Sequence, residues 1–353
     1  MDLVALVEWI GESQTAALFG LITGIVFGIA AQRSQFCLRA ATIEFARGLM
    51  QDKVAVWLLT LSTAIVWVQA AELFGLFRSE ESRVMAIPGS WSGAIIGGLL
   101  FGVGMVLSRG CSGRLLTLAA TGNLRAVVTG LVFAVVAQMS LSGMLSPLRD
   151  RLAGLWITSG GTNVDLLAYL GLPKISGLLI GLGFAALALI ISARNKIGWS
   201  RLVFASGVGF SVALGWVLIY QLSQIAFEPV AVKSITFSGP SANTLMFFLE
   251  RDSILDFDVG LVPGVVIGSF LSSIIAGEFK FQGFHAESQM RRSMTGGVLM
   301  GFGAMLAGGC AIGNGVTGGS VFAGTAWLAL LCMWIGAMVT DILLDQSRVA
   351  ATV

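Results

Sequence analysis

Two cysteines in this chain close the same glycine-rich apolar phrase. Residues 97–111 read GGLLFGVGMVLSRGC and residues 296–310 read GGVLMGFGAMLAGGC, with glycines and the final Gly-Cys in register. A segment duplicated with one thiol per copy implies two halves around one shared site. A third thiol, Cys37, follows Gln32-Arg-Ser-Gln35; the echo Gln221-Leu-Ser-Gln224 puts Ala226 where that cysteine would recur. The fourth, Cys332, lies mid-span in Leu-Leu-Cys-Met-Trp, where a small apolar filler is expected.

The chemistry open to these thiols is narrow. With no Cys-x-x-Cys and a single histidine, His285, neither a dithiol redox motif nor a metal set is present, so no cofactor is expected. A neutral S–H is a weak donor on a soft, polarizable atom. It can hold a sulfur-bearing anion without the trapping an arginine would give, and transport needs weak, multi-site binding. Burial in apolar surroundings keeps the proton on such a thiol. Glycine beside the thiols lets backbone N–H groups approach the anion. The candidate binding residues are therefore Cys37, Cys111 and Cys310, with Gly110, Gly309, Gly313 and Asn314 next to them, Gln32 and Gln35 ahead of Cys37, and Arg109 beside Cys111. Arg109 and Arg114 either draw the anion by their field or simply mark a cytoplasmic loop. His285, among Lys280, Arg291 and Arg292, reads as a solvated loop residue.

The elements that must position these residues are membrane helices. The chain is 56% hydrophobic and 11% charged, holds 46 glycines and has a mean hydropathy of +0.88. A soluble fold needs more polar surface than that. Apolar runs long enough to cross a membrane, roughly 17 to 25 residues, recur at about 15–31, 54–77, 91–108, 124–145, 175–193, 202–222, 259–277, 295–308 and 322–344. The eighth is the shortest. The fold class expected is an all-α polytopic membrane protein of about nine transmembrane helices, since barrel strands would show short alternating segments.

Charge sets the expected orientation. Basic residues follow the first, third, fifth and seventh spans, placing those loops in the cytoplasm, with Arg149 and Arg151 as the main exception. The N-terminal segment carries Asp2, Glu8 and Glu12 and no basic residue, and the loop 223–258 holds five acids against Lys233 and Arg251. These lie outside, which leaves the C-terminus cytoplasmic. No cleavable signal is expected, because no basic region precedes the first apolar run. The two Gly-Cys phrases fall five spans apart, and an odd offset means opposite directions across the membrane. The single membrane domain 1–353 thus divides into a first repeat at 15–146, a connecting span at 173–194 and an inverted repeat at 200–345, the plan of many secondary transporters. Broken or re-entrant helices at the Gly-Cys motifs are an alternative to full crossings. Nucleic acid is excluded as a partner, since no basic stripe with interleaved aromatics is present.

Gln-Arg-Ser-Gln-Phe-Cys at 32–37, Ser-Arg-Gly-Cys-Ser-Gly at 108–113 and Gly-Gly-Cys-Ala-Ile-Gly at 308–313 resemble the three cysteine motifs of the YeeE/YedE sulfur-transport family. The resemblance covers nearly the whole chain. It implies an hourglass-shaped protein in the bacterial inner membrane, surrounded by membrane lipid, that imports thiosulfate. It also implies that Cys37, Cys111 and Cys310 relay the ion by S–H hydrogen bonds, and that a small cytoplasmic TusA-like sulfurtransferase, YeeD, takes up the sulfur. Two other readings stay open: another cargo, such as a selenium compound or sulfite, or a sulfur-transfer protein that holds a persulfide on a low-pKa cysteine.

Overall fold

In lipid every backbone polar group must be satisfied within the chain, and this sequence meets that demand with helices. The computed structural model describes residues 3–251, 254–283 and 287–350; Asp2 and His285 lie outside them. In chain order the helices are α1 (Leu3–Ile10), α2 (Glu12–Ser34), α3 (Leu38–Ala46), α4 (Asp52–Leu73), α5 (Arg83–Ala86), α6 (Trp91–Leu107), α7 (Ser112–Ala120) and α8 (Leu124–Leu141). After these come α9 (Ser146–Ala153), α10 (Leu166–Tyr169), α11 (Ile175–Arg194), α12 (Trp199–Ser223), α13 (Ser238–Leu249), α14 (Phe257–Ile275), α15 (Glu287–Leu306) and α16 (Gly324–Ala350). Among the described residues, 8 helical stretches are long and apolar enough to cross a membrane. The chain is an all-α polytopic membrane protein. The remaining long helix, α15, is the eighth sequence span; it opens with Glu287, Arg291 and Arg292, which make its first turns polar.

Glycine sets how closely these helices approach. Gly20, Gly24 and Gly28 of α2 press on the backbone carbonyls of Phe257, Leu261 and Val265, while Gly260, Gly264 and Gly268 of α14 press on those of Ala17, Leu21 and Ile25. A side chain at any of these positions would meet a peptide group, so the stripe is a packing face. Because the numbers rise together, α2 and α14 run parallel. By the same reading Gly98 and Gly102 lay α6 parallel to α16 against Ala329 and Met333, and Gly297 and Gly301 lay α15 parallel to α8 against Thr129 and Phe133. Gly209 does so for α12 and α4, where Thr60 also donates to the Ala205 carbonyl. Gly97 against Gly303 and Gly104 against Gly296 make α6 and α15 antiparallel.

Long helices break at the thiols. α2, α6 and α15 end on left-handed residues, Gln35 (φ 55°), Arg109 (φ 60°) and Gly308 (φ 75°), each two residues before a cysteine. The chain then restarts as a short helix: α3 after Cys37, α7 after Cys111, and, after Cys310, a turn widened to a π-helix over Gly313–Gly318. α12 is followed instead by a loop and α13, which is preceded by Phe237. Ala226, aligned with Cys37 by the sequence echo, lies in the turn leaving α12; the residue in the equivalent capping place is Phe237.

Candidate functional site

Each of the three thiols sits in the residue before a short helix, in extended or unwound backbone. The amides three residues on, of Ala40, Arg114 and Gly313, face Cys37, Cys111 and Cys310. The dipole of each short helix adds positive potential at its N-terminal end. Cys111 and Cys310 are fully buried and Cys37 is half-buried. The side chains of Cys37 and Cys111 lie close enough to influence one another. Gly113 packs directly on Ile312 and on the ring of Phe237, which sets the turn of Cys111 against that of Cys310. The structure therefore brings the three predicted thiols together; Cys332, at mid-α16, packs against the face of α6 at Gly98.

Cys310 has the most polar surroundings. Its Sγ accepts from the backbone N–H of Phe237 at 3.3 Å and of Gly313 at 3.5 Å, with Thr236 Oγ1 at 3.7 Å. Asn314 points away from the thiol. Its Nδ2 donates to the carbonyls of Gly309 (2.7 Å) and Ala307 (3.2 Å), capping the broken end of α15. Gly313 is sterically required, since a Cβ there would strike Thr236, whereas at Gly110 it would meet Leu115 at an ordinary 3.5 Å. The Gly110 carbonyl accepts from Ser108 Oγ at 2.9 Å. Gln32 donates to Glu278 Oε2 at 3.1 Å, and Gln35 is exposed, accepting from Lys53 Nζ at 3.4 Å.

Two cavities flank the thiols at opposite ends of α6. The first, about 370 Å³, is lined by Gly308, Gly313, Thr236, Thr317, Lys233 and Asp258, with Arg83 and Arg149 also on its wall. The second, about 570 Å³, is lined by Arg39, Arg47, Arg109 and Arg292 together with Glu44 and Asp341. Both carboxylates in the second are engaged. Asp341 pairs with Arg47 at 3.1 Å, and Glu44 accepts from the amides of Gln51, Lys53 and Val54. What remains is a cationic bowl beside Cys37, whose nearest charges are Arg114 and Arg39. Arg109 lies on the rim of this bowl, exposed, and not against Cys111.

Sequence reasoning missed Thr236, Phe237, Lys233 and Asp258. The available signal was one lysine in a loop of mostly acidic charge, followed by Ser-Gly-Pro-Ser at 238–241. Among the described residues no group of histidine, cysteine and carboxylate side chains is arranged to hold a metal ion. The site can present S–H, O–H and backbone N–H donors to an anion between two cavities that each carry cationic side chains on their walls.

The fold and this site together define a polytopic helical membrane protein of the transport class. Residues 33–339 match the family described as Sulphur transport, and the chain belongs to that family. It is 27% identical over 337 residues to a protein named Thiosulfate transporter TsuA from Escherichia coli (strain K12), covering 90% of this chain and 92% of that one. It is 28% identical over 340 residues to another of that name from Spirochaeta thermophila, covering 90% and 96%.

Proposed function

We propose that this protein imports thiosulfate across the bacterial inner membrane, passing the intact ion along Cys310, Cys111 and Cys37 without a covalent step. The observation that supports the reading is the run of three thiols at the starts of short helices, between two cavities rich in arginine or lysine. A thiosulfate ion carries a soft terminal sulfur and three oxygens. Thiols suit the first, and the amides of Phe237 and Gly313 with the hydroxyl of Thr236 suit the second. The thiols hold the ion by weak contacts spread along a path, so release stays fast.

In this reading the N-terminus and the Cys310 cavity face the periplasm and the arginine cavity faces the cytoplasm. The halves 15–146 and 200–345 are inverted repeats. The helix pairing supports this, because α2 beside α14 is mirrored by α12 beside α4, and α6 beside α16 by α15 beside α8. Moving a dianion into a negative-inside cell costs roughly 2.3 kcal/mol per charge per 100 mV. The arginine bowl collects the ion on arrival, and a cytoplasmic TusA-like sulfurtransferase such as YeeD that consumes it keeps the direction inward. A second reading has one supporting feature: Arg39 and Arg114 beside Cys37 are the surroundings of a reactive thiolate, which would attack the outer sulfur of thiosulfate, break its S–S bond, keep that sulfur as a persulfide and release sulfite.

Labelled-thiosulfate counterflow in proteoliposomes tests the cargo. Exchange is expected with unlabelled thiosulfate inside, and not with sulfate inside. Exchange driven equally by sulfate, or by selenite in preference to thiosulfate, overturns the reading.

A further inference from the structure

We infer that Lys233 receives the anion at the outer mouth, and that Asp258 is its internal competitor, released from Lys233 when a proton or the anion arrives. This rests on the uptake reading above. Lys233 lies on the loop between α12 and α13, in the same cavity as Thr236 and Gly313, both of which touch the sulfur of Cys310. It is the cation that the loop between α12 and α13 contributes to that cavity.

Its charge is not free. Lys233 Nζ lies 2.7 Å from Asp256 Oδ2 and 2.9 Å from Asp258 Oδ2, and Asn243 Nδ2 donates to the same Asp258 oxygen at 2.9 Å. Two carboxylates on one ammonium leave a net negative cluster, which repels a dianion. The two acids differ. The Asp256 side chain is 37% exposed and caps α14 by accepting from the amide of Val259. The Asp258 side chain is 4% exposed, and its Oδ1 is buried with no hydrogen-bond partner among the described residues. A carboxylate with one dry oxygen is costly to keep charged once Lys233 turns to another anion. Protonation of Asp258 then removes the negative excess, leaving Lys233 balanced by Asp256 alone.

The other charged groups around Asp258 are placed differently. α13 contributes Asn243 and ends at Glu250; α2 contributes Glu12, which holds the amides of Phe227 and Glu228. Arg114 on α7 and Arg125 on α8 lie toward the opposite mouth. Arg83 and Arg149 share the cavity, and Arg149 is held by Asp150 at 2.6 Å.

The test is the KM of thiosulfate uptake at fixed internal pH, with the outer pH lowered stepwise from neutral. Wild type is expected to show a KM that falls as the outer pH falls, with little change in Vmax. Asp258→Asn should give a low KM that no longer follows pH. Lys233→Met should raise KM roughly tenfold or more, and Lys233→Arg should restore most of it. A pH-independent wild-type KM, or a Lys233→Met KM equal to wild type, overturns the inference while leaving uptake intact. Absence of any uptake by wild type overturns the underlying functional reading instead. The wild-type pH series needs no variant, so a misfolded Asp258→Asn would not leave the question open.

Discussion

The backbone amide of Phe237 donates to the sulfur of Cys310 across 3.3 Å, tying a loop of the α12–α13 segment to the broken end of α15. The same residue's ring packs tilted on Phe27 at 5.2 Å between centroids and against Gly113, two residues past Cys111. Phe237 thus stands between Cys310 and Cys111, offering an N–H to the first and an apolar wall to the turn of the second.

Phe237→Ala keeps the amide and removes the wall. Deleting a fully buried aromatic costs about 3 to 5 kcal/mol, so a lower melting temperature is expected. Sulfate should then compete with thiosulfate for passage. Phe237→Leu should cost less and keep selectivity, and the competition assay in vesicles separates the two.

The glycine stripes make a contrast testable by thermal unfolding in detergent. Gly24→Ala places a methyl group against the peptide groups of Leu261 and Gly264, and overpacking of this kind costs about 1 to 3 kcal/mol. Gly130→Ala in α8 meets nothing within 4 Å and should be neutral or stabilising by up to about 1 kcal/mol.

The left-handed break before Cys310 isolates a backbone effect. Gly308 has φ 75° and open space around its Cα, so Gly308→Ala should cost about 1 to 2 kcal/mol through the backbone alone. At Gln35, already left-handed with a side chain, replacement by glycine should relieve strain and leave the fold intact. Parallel melting curves check both.

Much of this arrangement was legible in the sequence because it is local. The repeated Gly-Cys phrase marks two of the three breaks, and glycine at spacing four marks the faces that meet between α2 and α14. The left-handed turns two residues before the thiols were less visible, since Gln35 and Arg109 are not residue types that announce such a turn. Asn314 reads as a ligand by its position beside Cys310, yet its amide is consumed by carbonyls freed where α15 stops. Phe237 was hidden because a longer loop separates α12 from the short helix α13, so a fixed offset from Gln221 lands on Ala226. Lys233 and Asp258 are neighbours only after folding, 25 residues apart in a stretch that composition marks merely as an acidic loop.

Lys233 also gives a stability prediction. Burial works against its charge, but Asp258 and Asp256 outweigh that and hold its pKa above the ordinary lysine value. A raised folded-state pKa contributes stability that is complete below about pH 10.4 and is lost as pH rises through the folded value. Lys233→Met should remove this alkaline component, so wild type and variant melting temperatures should converge at high pH.

The central claim is passage of the intact ion by thiol hydrogen bonds, and uptake of thiosulfate labelled in its outer sulfur tests it most directly. Wild type, Cys310→Ser and Cys310→Ala would be compared in proteoliposomes, with intact-mass analysis of each protein afterward. The account predicts uptake by wild type, partial uptake by the serine variant, loss in the alanine variant, and no added sulfur on any cysteine. A persulfide on Cys37, Cys111 or Cys310 that forms and decays with uptake would contradict it.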